Sequence, residues 1–436
     1  MEEQVDEMDM TDVIALVNTN RGKGKKKSQD RMKFLMNELG NPQDSLSFIH
    51  VVGTNGKGST SAFIQSILRE AGYNVGLYTS PHLEKVNERI RINNDFISDE
   101  EFIALSEKVY PAVLKTETET RENLHAFEIL TAVAFLFYAQ RSVDAVILEA
   151  GIGGRLDATN VINDSLVSVI TSIGLDHVKV LGDTPEKIAT EKVGIVKLNG
   201  NLVTFDAPDS LKDIFQKKCL EQKAIYTPVD SSALAVKEIT LDKQRFDYKQ
   251  YQNLVIRMLG EHQVRNAVLA VEALTVLKEK GFSVSEEELR AGLEKTFWAG
   301  RFEKISDHPL AFLDGAHNSH AVEVLVSNIR TWFPGKKVTF ILGMMEDKDY
   351  SKMIELVFPL ADKFLTLAPD SERALESQDL AAMLREKGFN TTTLSTPKDA
   401  LHYIHEEAKS DELVVIFGSL YLVGNIKEEM DHVTAK

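Results

Sequence analysis

A glycine-rich turn offers the clearest chemistry in the chain. Residues 53–60 read Gly-Thr-Asn-Gly-Lys-Gly-Ser-Thr, between a β-branched run and a helical pattern. Backbone N–H groups of such a turn point into one concavity, and the following helix adds its positive end. Lys57 supplies a charge for β- and γ-phosphates, and a Ser or Thr hydroxyl can meet Mg²⁺. Because Gly58 follows the lysine, the spacing departs from the common phosphate loop, and a plain glycine turn that caps a helix stays the alternative.

Oxygen and nitrogen ligands follow two further predicted strands. Glu149 closes one strand before the glycine-rich segment 151–154, and His177 follows the end of the next. Carboxyl ends of strands form the ligand crevice of an open α/β sheet, and a carboxylate with an imidazole there can hold a divalent metal. On spacing alone, a hydrogen-bonded structural role for either side chain stays open.

A third polar group, Asp-Gly-Ala-His-Asn at 314–318, ends a strand late in the chain. It predicts a second crevice at the carboxyl end of a sheet. The alternative is that Asp314 or Asn318 only caps the following helix.

Strands alternating with helices must position these groups, and they predict a mainly parallel, doubly wound sheet. The predicted strands cover 48–52, 75–79, 144–149, 166–173, 310–313, 338–342, 364–367 and 413–417. The predicted helices cover 30–39, 61–71, 127–140, 263–280, 380–387 and 398–408. Residues 200–256 are less regular and predict short antiparallel strands. The pattern restarts around 299–301, which predicts one domain over 1–297 and a smaller, Rossmann-like α/β domain over 298–436.

Composition excludes several classes. The chain has 436 residues, 50 Lys+Arg against 66 Asp+Glu and a formal charge of −16, which argues against a general nucleic-acid binder. One cysteine, Cys219, excludes an intramolecular disulfide and suits a reducing compartment. An acidic N-terminus and the absence of a long apolar stretch predict a cytoplasmic protein without a membrane segment.

Ten blocks together resemble the folylpolyglutamate synthase/dihydrofolate synthase family of the Mur ligase superfamily. They are GTNGKGST at 53–60, TSPHL at 79–83, NERIR at 87–91, EAGIGGRLDATN at 149–160, GLDH at 174–177, EKVGIVK at 191–197, GEHQVRN at 260–266, GRFE at 300–303, DGAHN at 314–318 and GSLYLVG at 418–424. Their order runs over nearly the whole chain. GTNGKGS alone indicates only the superfamily, whereas SPHL and GGRLDATN favour the folate branch.

The resemblance implies a role for each matching residue. The ATP-binding residues would be Thr54, Asn55, Gly56, Lys57, Gly58, Ser59, Asn266, Arg301 and Asp314. Ser80, Glu149 and His177 would bind two Mg²⁺ ions, directly or through water. Lys57, Lys192 and His317 would be catalytic, with Lys192 matching a lysine that is carbamylated in the family. Phe127, Arg155 and Asp157 would bind the pterin substrate, although Phe127 is equally consistent with a core position.

The implied reaction is ATP-dependent joining of L-glutamate to dihydropteroate or a reduced folate through an acyl phosphate. The first domain would carry the ATP and folate sites, and the nucleotide would bridge to the C-terminal ligase domain. A monomer is expected. Another Mur-type amide ligase and a nucleotide-dependent binding module without ligation are the alternatives. Two departures stand out: Ala126 replaces a bulkier residue of relatives, and 21–27 is unusually lysine-rich. That run is either a solvated loop or an attractor for anionic folates.

Overall fold

The computed structural model describes residues 8–19, 28–346 and 348–434. The basic run 21–27 lies outside the described residues, so both interpretations of it stay predictions. The chain divides into two compact units. The first holds the described residues up to Ser80, with Val86–Leu234 and Arg265–Lys295; the second holds Pro81–Lys85, Ala235–Val264 and the described residues from Thr296 onward.

Strands and helices alternate along most of the described chain. The strands are β1 Phe48–Val52, β2 Val75–Tyr78, β3 Ile90–Ile92, β4 Asp95–Phe96, β5 Ala145–Glu149, β6 Val167–Ile170, β7 Asn201–Thr204, β8 Ile225–Pro228, β9 Leu234–Ile239, β10 Gln244–Tyr248, β11 Tyr251–Ile256, β12 Glu303–Asp307, β13 Leu310–Leu313, β14 Val338–Leu342, β15 Ala361–Thr366, β16 Asn390–Thr393 and β17 Leu413–Phe417. The helices are α1 Met10–Thr19, α2 Asp30–Glu38, α3 Lys57–Glu70, α4 Asp99–Thr120, α5 Ala126–Ala139, α6 Val178–Leu181, α7 Pro185–Lys192, α8 Asp209–Gln222, α9 Glu261–Glu279, α10 Glu286–Lys295, α11 Ser319–Trp332, α12 Tyr350–Val357, α13 Ser377–Glu386, α14 Pro397–His402 and α15 Leu420–Thr434.

The first unit is built on a sheet with the strand order β4-β3-β2-β5-β1-β6-β7-β8. Strands β2, β5, β1, β6, β7 and β8 run parallel, whereas β3 and β4 add an antiparallel edge. Every residue of β1 and β5 is buried, as expected for central strands of a parallel sheet covered on both faces. The nearly continuous apolar helix α5 is buried in the same core.

The second unit contains a three-stranded sheet, β11-β10-β9, and a larger sheet with the order β12-β13-β17-β14-β15-β16. In the larger sheet, β13, β17, β14, β15 and β16 run parallel, and β12 pairs antiparallel with β13. Strands β14 and β17 are buried at every position. The predicted α/β class, with mainly parallel sheets in both units, is confirmed.

Two predicted regions differ from the structure. Residues 201–228 form β7, α8 and β8, which extend the large parallel sheet. Strands β9, β10 and β11 form the three-stranded sheet, in which β10 and β11 pair antiparallel as predicted. Helix α3 begins at Lys57, four residues before the predicted start, because the last residues of the glycine turn already form its first turn.

The division into units is discontinuous, whereas the prediction placed one boundary at residue 297. Residues 81–85 and 235–264 group with the second unit, although they precede that boundary in the chain. The two domains over 1–297 and 298–436 therefore stay a prediction of functional organisation. Within the described residues, none of the helices combines the length and apolarity needed to traverse a lipid bilayer.

Candidate active site

The glycine turn joins β1 to α3, as the phosphate-loop hypothesis requires. Gly56 adopts φ 85° immediately before Lys57 begins the helix. Thr54 N–H donates to Ser172 O at 2.7 Å, and Asn55 N–H donates to Ser172 Oγ at 3.0 Å. A Cβ atom at Gly53 would overlap Thr171 Oγ1, so glycine is required there. The end of β6 therefore fixes the shape of the turn.

Asn266 lies against this turn. A Cβ atom added at Gly56 would be 2.5 Å from Asn266 Oδ1, which shows how closely the amide approaches the backbone. Asn266 is in α9 and is buried. The structure thus brings together Gly56 and one residue predicted to bind ATP from more than 200 positions later in the chain.

Two lysine ammonium groups share the carbonyl oxygen of Gly53. Lys57 Nζ donates to it at 3.2 Å and to Thr54 O at 3.4 Å, while Lys192 Nζ donates to it at 2.8 Å. Burial, followed by the charge of Lys57, lowers the pKa of Lys192 from 10.5 to about 7. Lys192 therefore has an accessible neutral amine form near neutral pH.

Glu149 lies close to Lys57. Its buried carboxylate is 3.9 Å from Lys57 Nζ and accepts a hydrogen bond from Ser80 N–H at 3.4 Å. His177 directly precedes α6 as its N-cap residue, in a left-handed conformation with φ 49°, and its Nε2 is 3.8 Å from Asp176 Oδ2. The described contacts join Ser80, Glu149 and Lys57, and the His177 imidazole lies near the carboxylate of Asp176.

The donor chemistry fits magnesium. Among the described residues, no group of three or more His, Cys, Asp or Glu side chains could hold a metal ion. Mg²⁺ does not need such a cage, because it is usually bound through one or two carboxylates, water and substrate phosphates. The Glu149 carboxylate beside Ser80 and the glycine turn meets that requirement. The ligand roles of Ser80, Glu149 and His177 stay predictions.

The segment after Glu149 is organised by Asp157. One carboxylate oxygen, Oδ2, accepts from Gly151 N–H at 3.1 Å and Ile152 N–H at 3.0 Å. The other, Oδ1, accepts from Thr159 N–H at 3.0 Å and Thr159 Oγ1–H at 2.6 Å. The carboxylate that the sequence assigned to substrate is thus engaged by four protein donors, and its substrate contact stays a prediction.

Arg155 and Phe127 border the same segment. Arg155 forms an ion pair with Glu191 at 2.9 Å and is half exposed. The Phe127 ring is partly buried, stacks on Tyr78 with centroids 5.5 Å apart, and lies 3.0 Å from where a Gly151 Cβ would be. The ring therefore packs against the core while keeping an exposed portion, and both interpretations of Phe127 remain open.

In the second unit, Asp314 directly follows the last residue of β13, at the strand end where it was predicted. Its carboxylate accepts from Phe302 N–H at 2.9 Å and Ala316 N–H at 2.8 Å. Burial of the carboxyl group raises its pKa to about 6, although the nearby Arg301 charge and the two N–H donors oppose this shift. A Cβ atom at Gly315 would overlap Arg301 Nη1, so the guanidinium lies directly over that glycine.

The same turn holds His317 and Asn318. His317 Nδ1 is 2.8 Å from Gly315 O; since a carbonyl only accepts, Nδ1 carries a hydrogen. Asn318 Oδ1 accepts from Ala321 N–H at 2.9 Å and caps α11, so the helix-cap interpretation holds for Asn318.

Sequence reasoning missed several residues that shape these turns. Thr171 Oγ1 and Ser172 Oγ both donate to Asn55 O, at 2.6 Å and 3.0 Å. The signal was available, because polar residues directly follow the apolar strand β6. Phe302, with φ 44°, gave no such signal.

Two family models match the chain. The Mur ligase middle domain matches residues 51–274, and the Mur ligase glutamate ligase domain matches residues 300–420. A Bacillus subtilis dihydrofolate synthase/folylpolyglutamate synthase is 37% identical over 416 residues, covering 93% of this chain and 96% of that protein.

Solved structures agree with these matches. A Mycobacterium tuberculosis folylpolyglutamate synthase complexed with ADP and AMPPCP has a TM-score of 0.85 and 28% identity, covering 96% of this chain and 97% of that chain. An FPGS–AMPPCP–folate complex has a TM-score of 0.82 and 31% identity, covering 97% of this chain and 100% of that chain. The chain belongs to the folylpolyglutamate synthase/dihydrofolate synthase family of Mur ligases.

Proposed function

We propose that this protein is an ATP-dependent ligase that joins L-glutamate to the carboxylate of dihydropteroate, a reduced folate or both. The observation that carries the proposal is that Lys57 and Lys192 both donate to the Gly53 carbonyl oxygen, while the Glu149 carboxylate lies 3.9 Å from Lys57 Nζ. The folate branch is supported by the names of the relatives and by the folate in one similar structure.

ATP is the proposed energy source because the reaction needs one. A carboxylate is a poor electrophile, and transfer of the γ-phosphoryl group converts it to an acyl phosphate. The neutral α-amine of L-glutamate then attacks the acyl carbon, the acyl C–O bond breaks so that phosphate leaves with its electron pair, and the nitrogen loses a proton to solvent. The ADP and AMPPCP in the complexes of the M. tuberculosis relative support a nucleotide as a ligand of this chain.

Lys57 is the proposed partner of the transferred phosphoryl group. Its ammonium now donates to the turn's own carbonyl oxygens at 3.2 and 3.4 Å. Phosphate oxygens carry charge and accept more strongly, so bound nucleotide draws these hydrogen bonds away from Gly53 and Thr54. The positive end of α3 acts on the same anion.

The second unit is proposed to supply further nucleotide contacts. Arg301 offers a fixed cation, the Asp314 carboxylate offers an acceptor, and His317 offers an imidazole oriented by its hydrogen bond to Gly315 O. We assign His317 to the phosphates and Arg301 and Asp314 to the remainder of the nucleotide. Much of the catalysis is then positioning and electrostatics.

Magnesium is proposed at Glu149 and Ser80, with His177 as a further ligand, and two ions are expected. When bound, it would neutralise charge on the phosphate oxygens.

Carbamylation of Lys192 is proposed because its buried amine has a pKa near 7 and is therefore partly neutral, which reaction with CO₂ requires. A carbamate there would add an anion with two acceptor oxygens. A cytoplasmic location and a monomeric state complete the proposal.

The deciding experiment measures ADP release with dihydropteroate or tetrahydrofolate, each with and without L-glutamate. We expect release that requires both the pterin acceptor and glutamate, with a product heavier by one glutamyl residue in mass spectrometry. ADP release that is equal without glutamate would contradict ligation and favour a nucleotide-binding module. Turnover only with a cell-wall nucleotide peptide would favour another Mur ligase.

A further inference from the structure

A buried histidine is connected to the segment that follows Glu149. His50 is in the middle of β1 and is fully buried. Its Nε2 is 2.8 Å from Thr159 Oγ1, which donates to Asp157 Oδ1 at 2.6 Å. The other oxygen of Asp157 accepts from the N–H groups of Gly151 and Ile152. A continuous hydrogen-bond chain thus runs from the centre of the sheet to residues 151 and 152.

The direction of each hydrogen bond follows from the chemistry of the groups. A carboxylate can only accept a hydrogen bond, so Thr159 donates its single hydroxyl hydrogen to Asp157. Thr159 Oγ1 must then accept from His50, which places a hydrogen on Nε2. Burial, with the charge of Lys197, lowers the pKa of His50 to about 3, so the ring is neutral. His50 Nδ1 is consequently a bare nitrogen, and within the residues that the structure describes it has no hydrogen-bond partner.

The other end of this hydrogen-bond chain, at Gly151, lies beside Phe127, a residue predicted to bind the pterin substrate. Gly151 lies two residues after Glu149, and a Cβ atom added there would be only 3.0 Å from the Phe127 ring. Asp157 therefore holds the backbone of Gly151 against Phe127, whose partly exposed ring borders the predicted pterin position.

We propose that His50 and Thr159 are positioning residues for the pterin acceptor, acting through the Asp157 carboxylate on the backbone of Gly151 and Ile152. This inference rests on the proposed ligase function. It assigns Asp157 an indirect effect on the acceptor, through the segment it holds. A polar ring with one unpartnered nitrogen is less favourable in a buried strand than an apolar side chain, so its gain lies in placing Thr159.

Other contacts anchor the rest of the segment independently. Lys197 Nζ donates to Asn160 O at 3.1 Å and Ile162 O at 2.6 Å, and Asn160 Nδ2 donates to Arg155 O at 3.1 Å and Gly194 O at 3.2 Å. Gln29 Nε2 donates to Asp157 O at 2.9 Å. Loss of the His50 hydrogen bond should therefore shift the segment locally and leave the fold intact.

The test compares two amides at position 50. In His50→Gln the amide nitrogen reaches the place of Nε2 and can donate to Thr159, whereas in His50→Asn it reaches only the place of Nδ1. Thr159→Ser retains the hydroxyl, and Thr159→Val removes it at nearly constant volume. Wild type is assayed first for glutamate-dependent ADP release, so that failure of the proposed ligase function is seen separately.

We expect His50→Asn and Thr159→Val to raise the KM for the pterin acceptor about tenfold, with the KM for ATP changing less than about twofold. His50→Gln and Thr159→Ser should stay within about threefold of wild type for both substrates. A merely structural role would lower the active fraction and the urea midpoint and leave both KM values unchanged, which would overturn the inference. Equal behaviour of the Gln and Asn variants would overturn it too.

A nuclear magnetic resonance measurement on the wild-type protein tests the inference even if the substituted proteins fold poorly. In ¹⁵N-histidine-labelled wild type, His50 should show a protonated Nε2 and a bare Nδ1 that do not titrate between pH 5 and 8. His50→Gln identifies its signals by their disappearance. A ring protonated on Nδ1, or one that titrates in this range, would break the hydrogen-bond chain and sink the proposal.

Discussion

Each of the two units has a residue with positive φ beside its candidate site, but the residue type differs: glycine in the first unit and phenylalanine in the second. In the first, Gly56 adopts φ 85° at no steric cost. In the second, Phe302 adopts φ 44° beside Arg301, a conformation that a bulky residue rarely takes. Its ring lies between Phe312 and Trp332, with centroids 4.6 Å and 5.3 Å away, and its N–H is bound by Asp314. The turn at Gly56 is therefore permitted by the glycine itself, whereas the turn at Phe302 is imposed by the residues packed around it.

The largest effect should follow from removing the permitted turn. Gly56→Ala introduces strain at positive φ and a Cβ atom 2.5 Å from Asn266 Oδ1. We expect kcat/KM for ATP to fall about a hundredfold in steady-state assays of ADP release. Gly72→Ala is the matched control, since Gly72 has φ 83° with nothing within 4 Å of its added Cβ atom. It should lose about 1 kcal/mol of stability and retain activity. Similar kinetics for both variants would mean that the Gly56 environment is irrelevant.

The next effect concerns the carboxylate beside that turn. Glu149→Gln retains the size of the side chain and an acceptor for Ser80 N–H, but it removes the charge 3.9 Å from Lys57. The Mg²⁺ concentration for half-maximal turnover should rise about tenfold, because a neutral amide is a poor magnesium ligand. Glu412→Gln, a partly buried glutamate in the second unit, is the control and should leave that concentration unchanged. An unaltered magnesium requirement in Glu149→Gln would remove it from the ligand set.

A smaller effect should follow in the imposed turn. Phe302→Asn tolerates the left-handed backbone but loses the ring packed on Phe312 and Trp332, which we expect to loosen the neighbouring Arg301. We expect the KM for ATP to rise about fivefold and the KM for glutamate to stay constant. Trp332→Phe retains an aromatic face and should behave like wild type. If Phe302→Asn leaves the KM for ATP unchanged, the aromatic stack does not position Arg301.

The smallest effect concerns stability alone, and the two units should respond to pH with opposite sign. The folded-state pKa of Asp314 is raised from 3.8 to about 6, so its folded form binds an extra proton and stability falls as pH rises between these values. The pKa of Lys192 is lowered from 10.5 to about 7, so the unfolded form binds more protons and stability rises with pH from about 7 to 10.5.

Urea unfolding across pH, in carbonate-free buffer, tests both slopes. Asp314→Asn should flatten the fall between pH 4 and 6, and Lys192→Met should flatten the rise above pH 7. The Asp314 variant serves as the control for the alkaline range and the Lys192 variant for the acidic range. Slopes that persist in the matching variant would mean that other groups dominate the titration.

The sequence predicted the buried strands and the turn that follows them, because both leave strong local patterns. Strands β1, β13, β14 and β17 match the predicted bounds to the residue, since each is a short apolar run with clear punctuation. Strand β8 was missed because its residues are exposed or only partly buried and its neighbours are polar, so periodicity gave no signal. Which segments group with the second unit depends on contacts between distant residues, which local pattern cannot show.

In the candidate site, too, the residues with a local sequence pattern were predicted, whereas those that depend on contacts in the folded chain were not. The sequence indicated Lys57 in the glycine-rich turn after one strand, and Glu149 and Asp314 at the ends of two others. It could not show that the Asp157 carboxylate is occupied by protein donors, because Gly151, Ile152 and Thr159 meet it only through the folded loop. Nor could it indicate that Phe302 takes a conformation usual for glycine, since that conformation is set by Trp332 and Asp314.

Because Lys57 and Lys192 both donate to the Gly53 carbonyl oxygen, the properties of each lysine depend on the other. Removing the charge of Lys57 would relieve the repulsion that helps to lower the pKa of Lys192, so the remaining ammonium would become harder to deprotonate. A single substitution at either position therefore measures a change in both. Their joint contribution can be resolved only by a double-mutant cycle, in which a departure from additivity is the quantity of interest.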